Sequence, residues 1–338
     1  MKKLLFLILM SLSITAIAEQ KNISLGELDW PLDRPAASFN FDGVTAPALD
    51  IHANISDLDL LVSSTGNWRQ LLVESFELIY LPKNTHVNSW MFTTSPPGGL
   101  NQIIQSDFSY GNIHFNQRPG IVVGPKRLMV SLCDAGVTQC DERAFLRDFG
   151  SVLVTSASNT SVTSIWDLAK PDVCFVTSGE LTEPGSYGRY KRTLQAMAEL
   201  ERGPDAAQEL VDAVYAKDRG GRIMHRDTVT EMARDNSCAA LLFYHIYKQA
   251  DTDFPGTLKA FTLGGAPSFL EPAPGNIRGT QWHVKIDPEY PLYTTDIYDW
   301  INKYTRIKIQ QDNAFHFLQM LDSQTFTDMM PGFWVERP

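Results

Sequence analysis

What most constrains the fold of this chain is an alternation. Short apolar runs of strand length each end in a small, hydroxyl- or glycine-containing loop that leads into a helix-compatible stretch. Leu58 to Val62 ends in Ser63-Ser64-Thr65-Gly66-Asn67, ahead of a helical pattern from Trp68 to Leu78. Val87 to Phe92 stops at Thr93 to Gly99, and Gly120 to Gly124 is a short buried strand. Ser151 to Thr155 is closed by Ser156 to Ser161. Ser164-Ile165-Trp166-Asp167 has the form of a capping box, with an acid three residues after a hydroxyl. Asp172 to Thr177 is a strand, and Glu183 to Gly188 feeds a helix carrying Tyr190, Leu194, Met197 and Leu200 at helical spacing. Asp205 and Gln208 open another helix with Leu210, Val211 and Val214 on one face; a third starts near Asp227, and Cys238 to Tyr244 is a buried strand. Strands alternating with helices predict an α/β fold with mostly parallel sheets flanked by helices. A length of 338 residues predicts two domains.

Charge and the N-terminus narrow the setting. The chain has 29 Lys and Arg against 39 Asp and Glu, a net charge of −10, which disfavours a phosphate backbone; no nucleic acid partner is expected. Lys2 and Lys3, the apolar run Leu4 to Met10 with Leu12 and Ile14, and Ala16-Ile17-Ala18 before Glu19 read as a signal peptide over residues 1–18. Its removal takes two lysines from −10 and leaves −12. Residues 19–55, rich in Pro and Asp without period, read as an extended lead-in. A periplasmic or other extracytoplasmic location, reached through a cleaved signal peptide, permits disulfides. Cys133 and Cys140 bracket a polar turn and are the disulfide candidate; Cys174 and Cys238, each at the start of an apolar run, fit either buried thiols or a second bridge. The four cysteines lack the two close pairs of a zinc ribbon, so no metal and no cofactor is expected.

The loops carry the functional signal. Ser63 to Asn67, Thr93 to Gly99, Ser156 to Ser161 and Pro184 to Gly188 place hydroxyls and backbone N–H groups at helix starts, where amides are unpaired and the dipole is positive. In an open α/β sheet such loops gather at the strand carboxyl ends, a setting that suits an oxyanion or carboxylate.

Several stretches resemble the second lobe of periplasmic substrate-binding proteins, in particular the molybdate-binding-like branch of the type 2 fold among the solute-binding proteins of ABC transporters. They are Leu153 to Ser156, Ser164 to Val173, Glu183 to Gly188, and His225-Arg226-Asp227-Thr228 leading into Ala239 to Tyr244; Phe317 to Gln324 and Pro331 to Phe333 are similar to the family's closing helix and tail. The resemblance is good from Gly120 to His245 and at the C-terminus, and weak from Glu19 to Arg118. It implies two α/β lobes joined by hinge strands, with lobe 1 over 56–150 and 250–338 and lobe 2 over 151–249. A small anionic ligand would be held between them, as a monomer, for delivery to a membrane transporter permease. Carried over by position, the ligand-binding residues are Ser63 and Ser64, Thr94 and Ser95, Pro184, Gly185, Ser186 and Tyr187, and Tyr244; Arg226 is a candidate clamp. Ser109 to Arg118, with His114, and Pro96-Pro97 depart from the family pattern.

Enzyme motifs are missing: there is no G-x-S-x-G, no H-E-x-x-H and no Walker lysine, and no catalytic residue is assigned. The seven histidines show no zinc spacing, although His225 and His245 are placed to meet across a helix-strand unit. Two further readings stay open: an accessory or sensory protein of a membrane or redox complex that has kept the binding-protein fold, and a periplasmic hydrolase.

Overall fold

The computed structural model describes residues 49–52, 58–94, 103–104, 108–110, 113–115, 118–218, 223–225, 227–288 and 297–338. The expected signal peptide and the lead-in, apart from strand β1 (Leu49–His52), lie outside them. The first lobe continues through β2 (Leu60–Ser64), α1 (Arg69–Ser75), β3 (Trp90–Thr94), the hairpin β4 (Phe108–Tyr110) and β5 (Ile113–Phe115), β6 (Ile121–Gly124), α2 (Lys126–Asp134) and β7 (Arg143–Asp148). The second lobe holds β8 (Ser151–Ser156), β9 (Cys174–Phe175), α3 (Pro184–Arg202), α4 (Pro204–Tyr215), α5 (Asp227–Arg234), β10 (Cys238–Phe243), α6 (Tyr244–Asp253) and β11 (Leu258–Phe261). The chain returns with β12 (Thr280–Lys285), α7 (Ile297–Leu321), α8 (Gln324–Met329) and β13 (Val335–Glu336). No helix among the described residues is long and apolar enough to cross a membrane.

Seven strands form one sheet in the order β1-β3-β2-β6-β12-β7-β13, and four form the other as β11-β8-β10-β9. Side chains alternate across each strand, and both faces are covered. Leu60 and Val62 of β2 face the cluster around Phe76, Phe92, Phe317 and Phe326, while Leu61 between them packs with Met91, Val122 and Leu132. Burial on both faces is why the strands read as unbroken apolar runs. In lobe 2, Tyr190, Leu194 and Met197 of α3 and Leu210, Val211 and Val214 of α4 are buried as their spacing predicts. Leu200 is a correction: it is 56% exposed, because α3 turns Ala198 inward in its last turns.

Two expectations change. The sheets are mixed rather than mostly parallel: parallel pairing joins β2 to β3 and β6, and β9 to β10, while the other described pairs are antiparallel. Strands that leave a lobe or come back to it, β7 and β12 above all, run against their neighbours, and apolar patterning reports burial without direction. The return to lobe 1, expected near Ala250, comes later. β11 pairs with β8, so the chain stays in the smaller sheet until it reaches β12.

The Cys133–Cys140 bridge is formed and closes the turn after α2. Cys174 and Cys238 form a second bridge between neighbouring parallel strands, where they are direct register partners. Asp235 lies beside this pair, but both sulfurs are bonded to each other, which leaves no thiolate for a metal. The capping box also forms. Asp167 accepts from the Ser164 N–H at 2.9 Å and from Thr163 and Lys170. Burial alone would raise its pKa; hydrogen bonds from Lys170, Thr163 and Ser164 outweigh it and hold the carboxyl well below its ordinary range.

Both crossings between the lobes meet at Asp148. Its side chain is 1% exposed and accepts from Gly150 N–H at 2.9 Å, Gly279 N–H at 2.8 Å and Arg189 Nη2 of α3 at 2.6 Å. Gly150 adopts φ +80°, and Asn276 closes the other side by bonding the N–H and carbonyl of Ser151, each at 2.8 Å. A side chain at Gly279 would collide with Arg189 and lie 2.6 Å from Asp148 Oδ2.

Two outcomes are expected. Gly279→Ala should cost about 1–3 kcal/mol by overpacking. Arg189→Met, which leaves Asp148 buried without its cation, should cost about 3–5 kcal/mol; both are read by chemical denaturation. Because the folded pKa of Asp167 is depressed, its stabilisation is present above the unfolded value and lost as pH falls through the folded one. Asp167→Asn should therefore melt lower than wild type at neutral pH, with the gap closing as pH is taken below the carboxyl's ordinary value of 3.8.

Candidate interlobe site

Parallel strands share a direction, so the carboxyl ends of β2, β3 and β6 meet at one edge of lobe 1. β9 and β10, also parallel, end together in lobe 2, where α3 and α6 begin. The Ser156 to Ser161 loop does not join them. β8 runs antiparallel to β10, with Thr155 opposite Ala239 and Ser151 opposite Phe243, so this loop sits at the far end of the lobe. There Ser156 Oγ bonds Ser158 and Asn236, and Asn159 bonds the Asn236 carbonyl.

The expected residues take different roles. Ser63 and Ser64 end β2 rather than standing in a loop, and both are buried. The Ser64 hydroxyl donates to the Thr93 carbonyl at 3.4 Å. Thr94 closes β3; Ser95 and Arg226 lie outside the described residues. Pro184, Gly185, Ser186 and Tyr187 form the first turn of α3. Ser186 Oγ lies 3.1 Å from His225 Nδ1. Tyr187 packs edge-on against Tyr215 at 5.3 Å, and burial, with Glu180 and Asp218 nearby, pushes its phenol pKa up. Tyr244 is the first residue of α6, at the first crossing: its N–H donates to the Gly150 carbonyl at 2.9 Å and its ring stacks on Phe269.

Other residues span the gap between lobes. Asn67, in the turn after β2, approaches His225 Nε2 at 2.9 Å. His225 is 4% exposed; its N–H donates to Glu183 Oε2 at 2.7 Å, and its Nδ1 lies 2.8 Å from the same oxygen. Trp68 packs against His245 with ring centroids 4.3 Å apart. His225 and His245 each lie against the Phe243 ring, with centroids at 5.4 and 5.8 Å. The Arg189 guanidinium also covers Phe243, 3.5 Å from its centroid. Just beyond β9, Thr177 and Ser178 are fully buried with hydroxyls that have no partner among the described residues.

Chemically, this edge combines hydroxyls and helix-start amides with the Glu183 carboxylate and the imidazoles of His225 and His245. Glu183 precedes α3, at the positive end of a 19-residue helix. It also anchors His225 against α3. Asn67, Trp68, Glu183 and Arg189 were missed from the sequence because loop composition marks helix starts but not which side chain reaches across a cleft. The advance signals were the Ser63 to Asn67 loop, which contains Asn67, and His225 itself.

No family model and no curated protein matches the chain; the likeness is to solved structures. A substrate-binding domain of a molybdenum ABC transporter from Clostridium difficile aligns at TM-score 0.53 and 15% identity, covering 82% of this chain and 98% of that one. The sulfate-binding protein SubI from Mycobacterium tuberculosis aligns at 0.51 and 12%, covering 82% and 86%. An ABC transporter substrate-binding protein from Agrobacterium tumefaciens aligns at 0.55 and 8%, covering 84% and 81%. At such identities the likeness speaks for architecture. The chain has the two-lobed α/β fold of periplasmic substrate-binding proteins.

Proposed function

We propose that this chain is an extracytoplasmic solute-binding protein. It captures a small anion, an oxyanion of the molybdate or tungstate type or a small carboxylate, between its lobes for an ABC transporter permease. One observation carries the reading: the carboxyl ends of three parallel strands in lobe 1 and the start of α3 in lobe 2 meet across one gap, with Asn67 and His225 2.9 Å apart. Amides in the first turn of α3 and the hydroxyls of Ser186, Thr177 and Ser178 are the donors on one side. The loops after β2 and β3 supply the other. The likeness to molybdenum- and sulfate-transporter binding proteins supports the same class of ligand. The N-terminal signal-peptide pattern supports export, and a monomer is the form proposed.

With a net charge of −10 the whole protein repels anions at long range, so local donors must do the binding. Glu183 sharpens the requirement. A ligand that carries a hydrogen-bond donor, such as a protonated oxyanion or a hydroxy acid, suits a site holding a carboxylate better than a bare dianion does.

A second reading has one observation in its favour. The Ser64 hydroxyl, expected to face a ligand, is bonded to the protein's own backbone. An accessory or sensory protein that has kept the fold would show this.

A thermal-shift screen over molybdate, tungstate, sulfate, phosphate and small carboxylates separates the two. Ligand at a hundred times its Kd should stabilise the native state by about 2.7 kcal/mol. A rise in melting temperature with one of these anions is the expected result. If none moves it, the anion-binding reading fails and the accessory role takes its place.

A further inference from the structure

The lobes touch through side chains rather than only through the hinge, and the contacts form one connected unit. His225 is a fixed post on lobe 2. Its N–H and Nδ1 both engage Glu183, Ser186 Oγ stands 3.1 Å from Nδ1, and its carbonyl accepts from Thr228 Oγ1 at 2.6 Å. Its remaining polar atom, Nε2, meets Asn67 of lobe 1 at 2.9 Å. Beside it Trp68, anchored in the lobe 1 core among residues such as Leu71 and Leu72, lays its ring against His245. Phe243 lies against both histidines and so joins the two contacts mechanically. Close by, the Arg127 side chain of α2 reaches α3, its Nη2 3.3 Å from where a Cβ at Gly185 would lie. Three of the four bridging side chains are out of water, Trp68, His225 and His245 being 3, 4 and 5% exposed, and Asn67 is half-buried.

The choice of asparagine matters. Its amide oxygen Oδ1, which can only accept, is the atom that faces His225 Nε2 at 2.9 Å.

We infer that Asn67–His225–Glu183 and Trp68–His245 form a clasp that holds the lobes closed without a ligand. Asn67 and His225 are its positioning residues. Closure is then a built-in preference of the chain, and a ligand entering the gap displaces protein–protein contacts rather than drawing together two separated lobes. The inference rests on the two-lobed fold and not on the identity of any ligand.

The test is made on ligand-free protein. Spin labels are attached through a noncanonical keto amino acid at Lys83 of lobe 1 and Glu209 of lobe 2, both exposed and away from the gap. Pulsed dipolar spectroscopy then reads the distance between the lobes. The clasp predicts a single short-distance population in wild type and a shift of the main population to longer distance in Asn67→Ala. Circular dichroism of each lobe's secondary structure should be unchanged. A wild type that is mainly open without ligand overturns the clasp, and so does an Asn67→Ala protein with the wild-type distance distribution. Should Asn67→Ala fail to fold, Asn67→Ser, which keeps a polar side chain too short to reach His225, is read in the same way. The distances owe nothing to the anion screen. A failed screen with closed wild-type protein removes the anion reading alone, and a positive screen with open protein removes the clasp alone.

Discussion

The rest of the structure depends on how one buried carboxylate is satisfied. Asp148 ends β7 with its charge out of water, a position that costs several kcal/mol unless donors surround it. The donors it finds are the N–H groups of Gly150 and Gly279, one on each crossing between the lobes, and the Arg189 guanidinium from the helix that opens the candidate site. Meeting that single requirement fixes the two crossings against each other and both against α3. Glycine is needed at 279 because any side chain there would occupy the space of the ion pair, and at 150 because the chain turns through φ +80°. Arg189 in turn covers Phe243, on which His225 and His245 also rest, so the hinge and the interlobe gap share one set of packed groups.

Strand direction decides which loops meet. Ser63 to Asn67, Thr93 and Thr94, and the start of α3 come to one gap because β2, β3 and β6 run together in one lobe and β9 and β10 in the other. Ser156 to Ser161 has the same composition as these loops and ends at the opposite edge, since β8 runs the other way. Its hydroxyls and amides then serve the local turn. The Cys174–Cys238 bridge reinforces the parallel pair at its amino end and so helps hold the opposite end, at the candidate site, in register.

Much of the local structure was legible in the sequence. The capping box at Ser164 to Asp167, the buried faces of α3 and α4, and the Cys133–Cys140 bridge follow from short-range patterns, where each residue's partner lies within a few turns of chain. The two-lobed architecture was legible through family resemblance rather than through periodicity. The site was legible only in part. Pro184 to Tyr187 do begin the helix facing the gap, but Tyr187 is occupied with Tyr215, and Ser64 bonds its neighbour strand. Asn67, Trp68 and Glu183 carry no mark in the sequence that separates them from ordinary turn, core and helix-cap residues.

By itself the sequence determined which stretches become strands and helices, most of the faces they bury, and that glycine and hydroxyl residues gather near strand ends, because these depend on side-chain spacing along a few turns. Only the tertiary structure decided strand direction, the late return of the chain at β12, and the meeting of Asn67 with His225 across 158 positions. The reason is physical. Apolar patterning is the same for a strand running in either direction, and a contact between lobes joins residues too far apart in sequence for local spacing to report.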